Sequence, residues 1–156
     1  MLSKREMLEN IARANDIHII NGHFSRTKKA ACVKTDYNLI IQDKAAYDVQ
    51  ADEDEDLSEE VGHYVTGSLY PFVADYNSPL ARSNRMKCEG VARAWKHSFY
   101  FPVEDVERAF KSEGAFGIHA VAEYLQGIVE GLEKAIEYHR SMGVAFSFDN
   151  VGFDCA

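Results

Sequence analysis

Apolar residues recur at helical spacing near the start of the chain and at extended spacing soon afterwards. Residues 3–14 carry apolar side chains three and four positions apart, which predicts a short amphipathic helix. Residues 17–41 contain more β-branched side chains and predict two or three antiparallel strands. The best of these are 31–34 and 39–41, which flank a turn at 36–38.

From residue 57 onward the pattern is helical almost to the end of the chain, with breaks at prolines and glycines. The predicted helices are 57–68, 79–98, 103–111, 116–125 and 129–141. We therefore expect an α+β fold, in which a small antiparallel sheet packs on the helix near residue 57 and a helical C-terminal half follows. The tail after residue 143 is too apolar to remain in solvent, so we expect it to pack on the body or on a partner through Phe146, Phe148 and Phe153.

An acidic segment precedes the helix near residue 57. Residues 48–56 hold six acids in nine positions, and the alternation from Asp52 resembles a calcium loop. An EF-hand loop starting there would need glycine at its sixth position and glutamate at its twelfth, where this chain has Leu57 and His63. We therefore expect a solvated acidic loop whose last members cap the helix and complement its dipole.

Composition and charge narrow the class of protein. A chain of 156 residues with 46% hydrophobic content suits one domain, residues 1–156, with one buried core. The formal charge of -8 repels phosphate backbones, and the only basic cluster, residues 26–29, is short, so we expect no direct contact with nucleic acid.

The cysteines and the apolar runs bear on where the protein resides. Its three cysteines are odd in number and form no C-x-x-C pair, which indicates a reducing compartment. No apolar run approaches the roughly 20 residues that a membrane span needs, and residues 1–6 lack the apolar core of a secretory signal. The expectation is a cytoplasmic protein with no membrane partner.

One segment of the helix near residue 57 carries the spacing of a metal site. Glu59 and His63 are four residues apart, which places both side chains on one helix face, where they can share an ion. Glu60 is one position further round the helix, where a carboxylate can take a proton from water. This is the logic of H-E-x-x-H with glutamate as its first ligand, although the same spacing also occurs on ordinary solvated acidic helices.

A catalytic zinc site needs a third protein ligand and one open position. Glu89 is the best candidate, because it opens a helical pattern 26 residues after His63 and can return antiparallel across the first helix. Cys88 and His97 are alternatives on chemistry alone, but Cys88 points away from the face of Glu89 and His97 is two turns further on.

The residues around these positions resemble a known family over roughly residues 35 to 140. Leu57-Ser58-Glu59-Glu60-Val61-Gly62-His63-Tyr64-Val65-Thr66-Gly67 resembles the active helix of the ImmA/IrrE metallopeptidases, in its E-E-x-x-H variant. Residues 85–95, in which Glu89 is followed by Ala92 and Trp95, are similar to the family's second motif, and Tyr100-Phe101-Pro102 to its end. In one departure, Lys96 stands where a small residue is usual, and we expect it at the surface.

The resemblance implies a zincin-like metallopeptidase domain. It assigns the metal to Glu59, His63 and Glu89 and the general base to Glu60, with Zn²⁺ as cofactor. Because two carboxylates and one imidazole form a harder ligand set than two histidines and one carboxylate, Mn²⁺ or Fe²⁺ are alternatives. The resemblance also implies a protein substrate, typically a helix-turn-helix transcriptional repressor of a mobile element or stress locus. We expect that substrate to extend along an edge strand near residues 39–41, and Trp95 to face the active helix.

Two other functions are compatible with the sequence. The chain could keep the fold and bind a repressor without cleaving it, as a non-catalytic interaction protein. Residues 103–141 also form a three-helix pattern resembling helix-turn-helix, although the acidity of the chain disfavours a DNA-binding module. For Tyr64 and Tyr70, we expect packing rather than donation to a reaction intermediate.

Overall fold

The structure is a computed structural model that describes residues 2–24, 28–34, 36–70 and 78–150. It has two compact units, Met1–Lys96 and His97–Ala156. The chain is of the predicted α+β class, with a three-stranded sheet near its start and helices in its C-terminal half. The prediction that residues 1–156 form one domain stays a prediction.

The first unit contains the sheet and the helices that flank it in sequence. In chain order these are α1 Lys4–Ala14, β1 Ile17–Asn21, β2 Ala30–Lys34, β3 Asn38–Gln42, α2 Gln50–Val65 and α3 Pro79–Tyr100, whose last turn belongs to the second unit. Helix α1 begins at a capping box, in which Ser3 and Glu6 satisfy each other's backbone N–H groups. Its apolar face is buried through Leu8 and Ala12, as the helical spacing predicts.

The sheet has the strand order β1-β3-β2. Strands β2 and β3 form the predicted antiparallel hairpin, with Cys32 opposite Ile40. Strand β1, however, pairs with β3 in parallel, so the sheet is mixed and not purely antiparallel. Ile40 and Gln42 of this central strand are fully buried.

This strand order corrects the expected position of the substrate. Residues 39–41 belong to the central strand, whose backbone groups pair with β1 on one side and with β2 on the other. A central strand has no free edge to offer to another chain. The edges of this sheet are β1 and β2.

The acidic segment is helical and partly buried, so the expectation of a solvated loop is wrong. Helix α2 begins at Gln50, and Glu53, Asp54 and Glu55 are buried. Arg5 of α1 donates to Glu53 Oε1 at 2.9 Å and to Asp54 Oδ1 at 3.2 Å. Buried carboxylates are tolerated when a cation and hydrogen-bond donors satisfy them. The cation here lies 48 residues away in sequence, where no local pattern reveals it.

The second unit is helical, as predicted, with α4 Val103–Glu113, α5 Ile118–Tyr124 and α6 Val129–Ser141. The apolar tail packs against α4, since the ring of Phe148 stacks on Phe110 with centroids 3.9 Å apart and Phe146 stacks on Phe148. This confirms the expectation for Phe146 and Phe148, whereas Phe153 lies outside the described residues. None of the described helices has the length and apolar character that crossing a membrane demands.

Candidate metal centre

Helices α2 and α3 approach each other closely at Gly62. A Cβ at this position would lie 2.9 Å from the carbonyl oxygen of Ala92 and 3.1 Å from Cε3 of Trp95. Only glycine allows the two backbones to come so close. Trp95 therefore faces α2, as predicted, and the contact places one face of α3 over the motif residues of α2.

The imidazole of His63 is buried and fixed in orientation. Its Nδ1 lies 2.8 Å from the carbonyl oxygen of Ser68, to which an Nδ1–H group donates. In the neutral ring this tautomer leaves a lone pair on Nε2. That nitrogen lies 3.6 Å from Oε2 of Glu89 on α3. A backbone carbonyl that fixes the far nitrogen of a histidine is the usual support of a metal-binding imidazole.

Tyr70 belongs to the same group of side chains. Its hydroxyl donates to Oε1 of Glu89 at 2.9 Å, and its ring meets the His63 ring edge to face, with centroids 6.2 Å apart. Glu89 is thus held between a phenol and an imidazole. Position 70 follows the end of α2, and no spacing rule connects it to Glu89, which is why the sequence favoured packing.

The charges of His63 and Glu89 support each other. Burial opposes a charged imidazole, but Glu89 and the Ser68 carbonyl outweigh it and raise the pKa of His63 above its ordinary value. The pKa of Glu89 falls to about 2, chiefly because of His63, with burial opposing and Tyr70 assisting the fall. Glu89 is therefore a carboxylate at neutral pH, as a metal ligand must be.

Glu60 differs from Glu89 in its surroundings. Burial raises the pKa of its carboxyl group above the ordinary value, while Cys32 and the charge of His63 act in the opposite direction. The Cys32 thiol donates to the backbone carbonyl of Glu60 at 3.1 Å, and burial raises the pKa of that thiol, so Cys32 stays protonated. A carboxyl whose pKa lies above its ordinary value accepts a proton more readily than an ordinary carboxylate, as a general base must.

The carboxylate of Glu59 interacts with two cations of α3. Lys96 Nζ lies 3.1 Å from Oε2, and Arg93 Nε lies 3.5 Å from Oε1. The side chain of Lys96 is only 13% exposed, so the expectation that Lys96 is a surface residue is wrong. The largely buried Lys96 side chain is tolerated because Glu59 and the nearby Asp56 compensate its charge.

The predicted metal ligands are therefore only partly assembled. His63 and Glu89 lie side by side, whereas Glu59 is paired with Lys96. In the part of the chain that the structure describes, no group of three histidine, cysteine, aspartate or glutamate side chains is arranged to hold a metal ion.

The chemistry of the His63–Glu89 pair nevertheless fits a divalent metal. Two ligands that each lie about 2.1 Å from one tetrahedral zinc ion are about 3.4 Å apart. The observed 3.6 Å between Nε2 and Oε2 is close to that separation and longer than an ordinary hydrogen bond. Two of the three predicted metal ligands, His63 and Glu89, are therefore suitably spaced. Glu59 would have to separate from Lys96 to become the third.

The remaining candidates have other surroundings. Cys88 is a half-buried free thiol, and the buried His97 belongs to the second unit, where its ring packs against Tyr138 at 5.3 Å. Tyr64 is structural, because its hydroxyl accepts from the Leu39 N–H at 2.8 Å and donates to the Val33 carbonyl at 3.0 Å.

In comparisons with known proteins, no family model, no curated protein and no solved structure matches the chain.

Proposed function

We propose that this protein is a metal-dependent endopeptidase that cleaves a protein substrate in the cytoplasm. The observation that supports this best is the pair of His63 and Glu89, with Nε2 and Oε2 3.6 Å apart and the imidazole oriented by the Ser68 carbonyl. We assign the metal to Glu59, His63 and Glu89, with Zn²⁺ as cofactor and Mn²⁺ or Fe²⁺ as alternatives.

Each side chain has a separate task in this proposal. When bound, a divalent ion supplies a Lewis acid for the scissile carbonyl and for the attacking water. Glu60 takes a proton from that water onto its carboxylate and returns it to the leaving amine. Tyr70 and the Ser68 carbonyl orient Glu89 and His63 through their hydrogen bonds.

An extended substrate requires a strand with a free edge. Strand β2 is the edge that contacts α2, since Cys32 reaches the Glu60 carbonyl and Tyr64 reaches the Val33 carbonyl. A substrate that adds to β2 as a further strand would run beside Glu60. We propose β2 in place of residues 39–41, and a helix-turn-helix transcriptional repressor as the substrate class that the family resemblance suggests.

A second function is favoured by a different observation. The pairing of Glu59 with Lys96 leaves only two ligands together, which suits a protein that retains the fold and binds a repressor without cleaving it. The two functions differ in metal content and in turnover. They share the same partner class.

Metal analysis and a glutamate-to-glutamine variant would test the proposal. Purified protein is expected to hold one divalent ion per chain, and Glu60→Gln should retain both fold and ion. The variant should lose cleavage of a co-expressed repressor encoded beside the gene by about 10²- to 10⁴-fold, because an amide cannot accept the proton.

Glu133→Gln on the exposed surface of α6 is the matched control and should cleave normally. Equal cleavage by Glu60→Gln would exclude Glu60 as the base. A repressor that binds the unaltered protein and stays intact would favour the non-catalytic function.

A further inference from the structure

The Glu59 carboxylate is paired with two cations of α3, whereas the proposed metal site requires it to join His63 and Glu89. On α2 it is one turn before His63, and on α3 the cations that hold it follow Glu89 at intervals of four and seven residues, on one helix face. These cations are Arg93 and Lys96. Each carboxylate oxygen of Glu59 faces one of the two cations.

The two cations differ in how strongly they attract the Glu59 carboxylate. The Arg93 side chain is 57% exposed and its Nε lies 3.5 Å from Glu59, so solvent screens the interaction. The Lys96 side chain is 13% exposed and its Nζ lies 3.1 Å from Glu59, with Asp56 also close enough to attract it. Lys96 therefore provides the greater part of the attraction on Glu59.

We propose that Lys96 competes with a divalent metal for Glu59 and so sets the metal affinity of this site. The inference rests on the proposed metal site and concerns its regulation. In the metal-free protein, Lys96 holds the Glu59 carboxylate on the α3 side. Metal binding requires that carboxylate to leave Lys96, whose ammonium group then turns towards Asp56 or solvent.

The competition has two physical components. A carboxylate oxygen that accepts a hydrogen bond from an ammonium group has one lone pair engaged, and that lone pair is less available to a metal. A lysine ammonium group beside the site also repels a dication directly. Replacing Lys96 with a neutral side chain removes both effects, so the site should bind metal more tightly and should do so through Glu59.

Chelator competition with Zn²⁺ alone, and separately with Mn²⁺ alone, would measure this in the full chain. Lys96→Met keeps an unbranched side chain, one atom shorter, and removes its charge, and Lys96→Gln is a polar second variant should the first fold poorly. Lys29→Met is the matched control. Lys29 Nζ lies 3.0 Å from Oδ2 of Asp52, which is on α2 like Glu59 but seven residues before it.

We expect Lys96→Met to lower the metal dissociation constant at least about tenfold, and Lys29→Met to change it by no more than about twofold to threefold, through general electrostatics alone. Lys96→Arg, which keeps the charge, should remain close to the unaltered protein. The rise in melting temperature on adding metal should follow the same order.

The outcomes separate the inference from the proposed function. If all these proteins bind one ion through His63 and Glu89 but Lys96→Met matches Lys29→Met, the metal site stands and the competition by Lys96 is refuted. If the double variant Lys96→Met with Glu59→Gln binds as tightly as Lys96→Met, Glu59 is not the ligand that Lys96 controls. If none of them binds metal, the proposed metal site fails and the inference fails with it.

Discussion

Gly62 on α2 and Ala92 on α3 are so close that a Cβ at position 62 would lie 2.9 Å from the Ala92 carbonyl oxygen. This contact sets how close the α2 face that carries Glu59 and His63 lies to the α3 face that carries Glu89. The glycine between Glu60 and His63 therefore has a structural role of its own.

Gly62→Ala should therefore destabilise the protein, although alanine favours helix formation by about 1 kcal/mol over glycine. The added methyl meets a backbone oxygen that can move only with α3, so we expect a net loss of about 1–3 kcal/mol. Gly90→Ala is the control, since a Cβ there meets nothing within 4 Å and the residue is exposed in α3. Urea unfolding should show Gly90→Ala slightly stabilised, and a stabilised Gly62→Ala would contradict the close approach.

Arg5 compensates two buried carboxylates of α2, Glu53 and Asp54. Arg5→Met should lower the free energy of unfolding by about 2–4 kcal/mol at neutral pH, because it leaves both acids buried without their cation. Arg108→Met breaks only a solvent-exposed pair with Asp105 and should cost less than about 0.5 kcal/mol. Similar melting temperatures for the two variants would show that the acids of α2 are solvated after all.

The His63–Glu89 pair should make the metal-free protein sensitive to pH. The depressed pKa of Glu89 gives stability that is present above the ordinary value of 4.5 and is lost as pH falls towards about 2. The raised pKa of His63 gives stability that is present below the ordinary value of 6.5 and is lost as pH rises through its higher folded value. The pair is fully effective only between these limits.

Glu89→Gln should therefore cost most stability near pH 5 to 6, about 1–2 kcal/mol after solvent screening, and less at either extreme. Unfolding in the presence of a chelator across this range would measure the difference. Glu130→Gln, which loses an exposed pair with Lys134, should show no such maximum. A Glu89→Gln deficit that does not diminish as pH rises into the alkaline range would mean that His63 is not its partner.

Two tyrosines should separate structure from metal binding. Tyr64→Phe removes the hydroxyl that bridges Leu39 and Val33, so we expect a stability loss of about 1–3 kcal/mol with unchanged metal affinity. Tyr70→Phe removes the donor to Glu89 and should weaken metal binding about 10-fold with little effect on stability. Calorimetry and chelator titration of both variants would decide, and a reversed pattern would exchange the two roles.

The sequence by itself determined the features that depend on near neighbours along the chain. It predicted the α+β class, the hairpin of β2 and β3 and the C-terminal helices, because periodicity and turn residues act over a few positions. The spacing of four between Glu59 and His63 likewise places both residues on one face of α2. These features need no knowledge of distant residues.

Only the tertiary structure decided which groups meet across long separations. Strand β3 lies in the centre of the sheet, Arg5 pairs with acids 48 or more residues away, and Lys96 pairs with the carboxylate of Glu59. The position of Glu59 on the helix marks it as a candidate ligand, but it does not show the direction of its carboxylate, which in the structure is paired with Lys96 and Arg93. Its direction is fixed by the charges that α3 brings alongside, and those depend on how closely the two helices pack at Gly62.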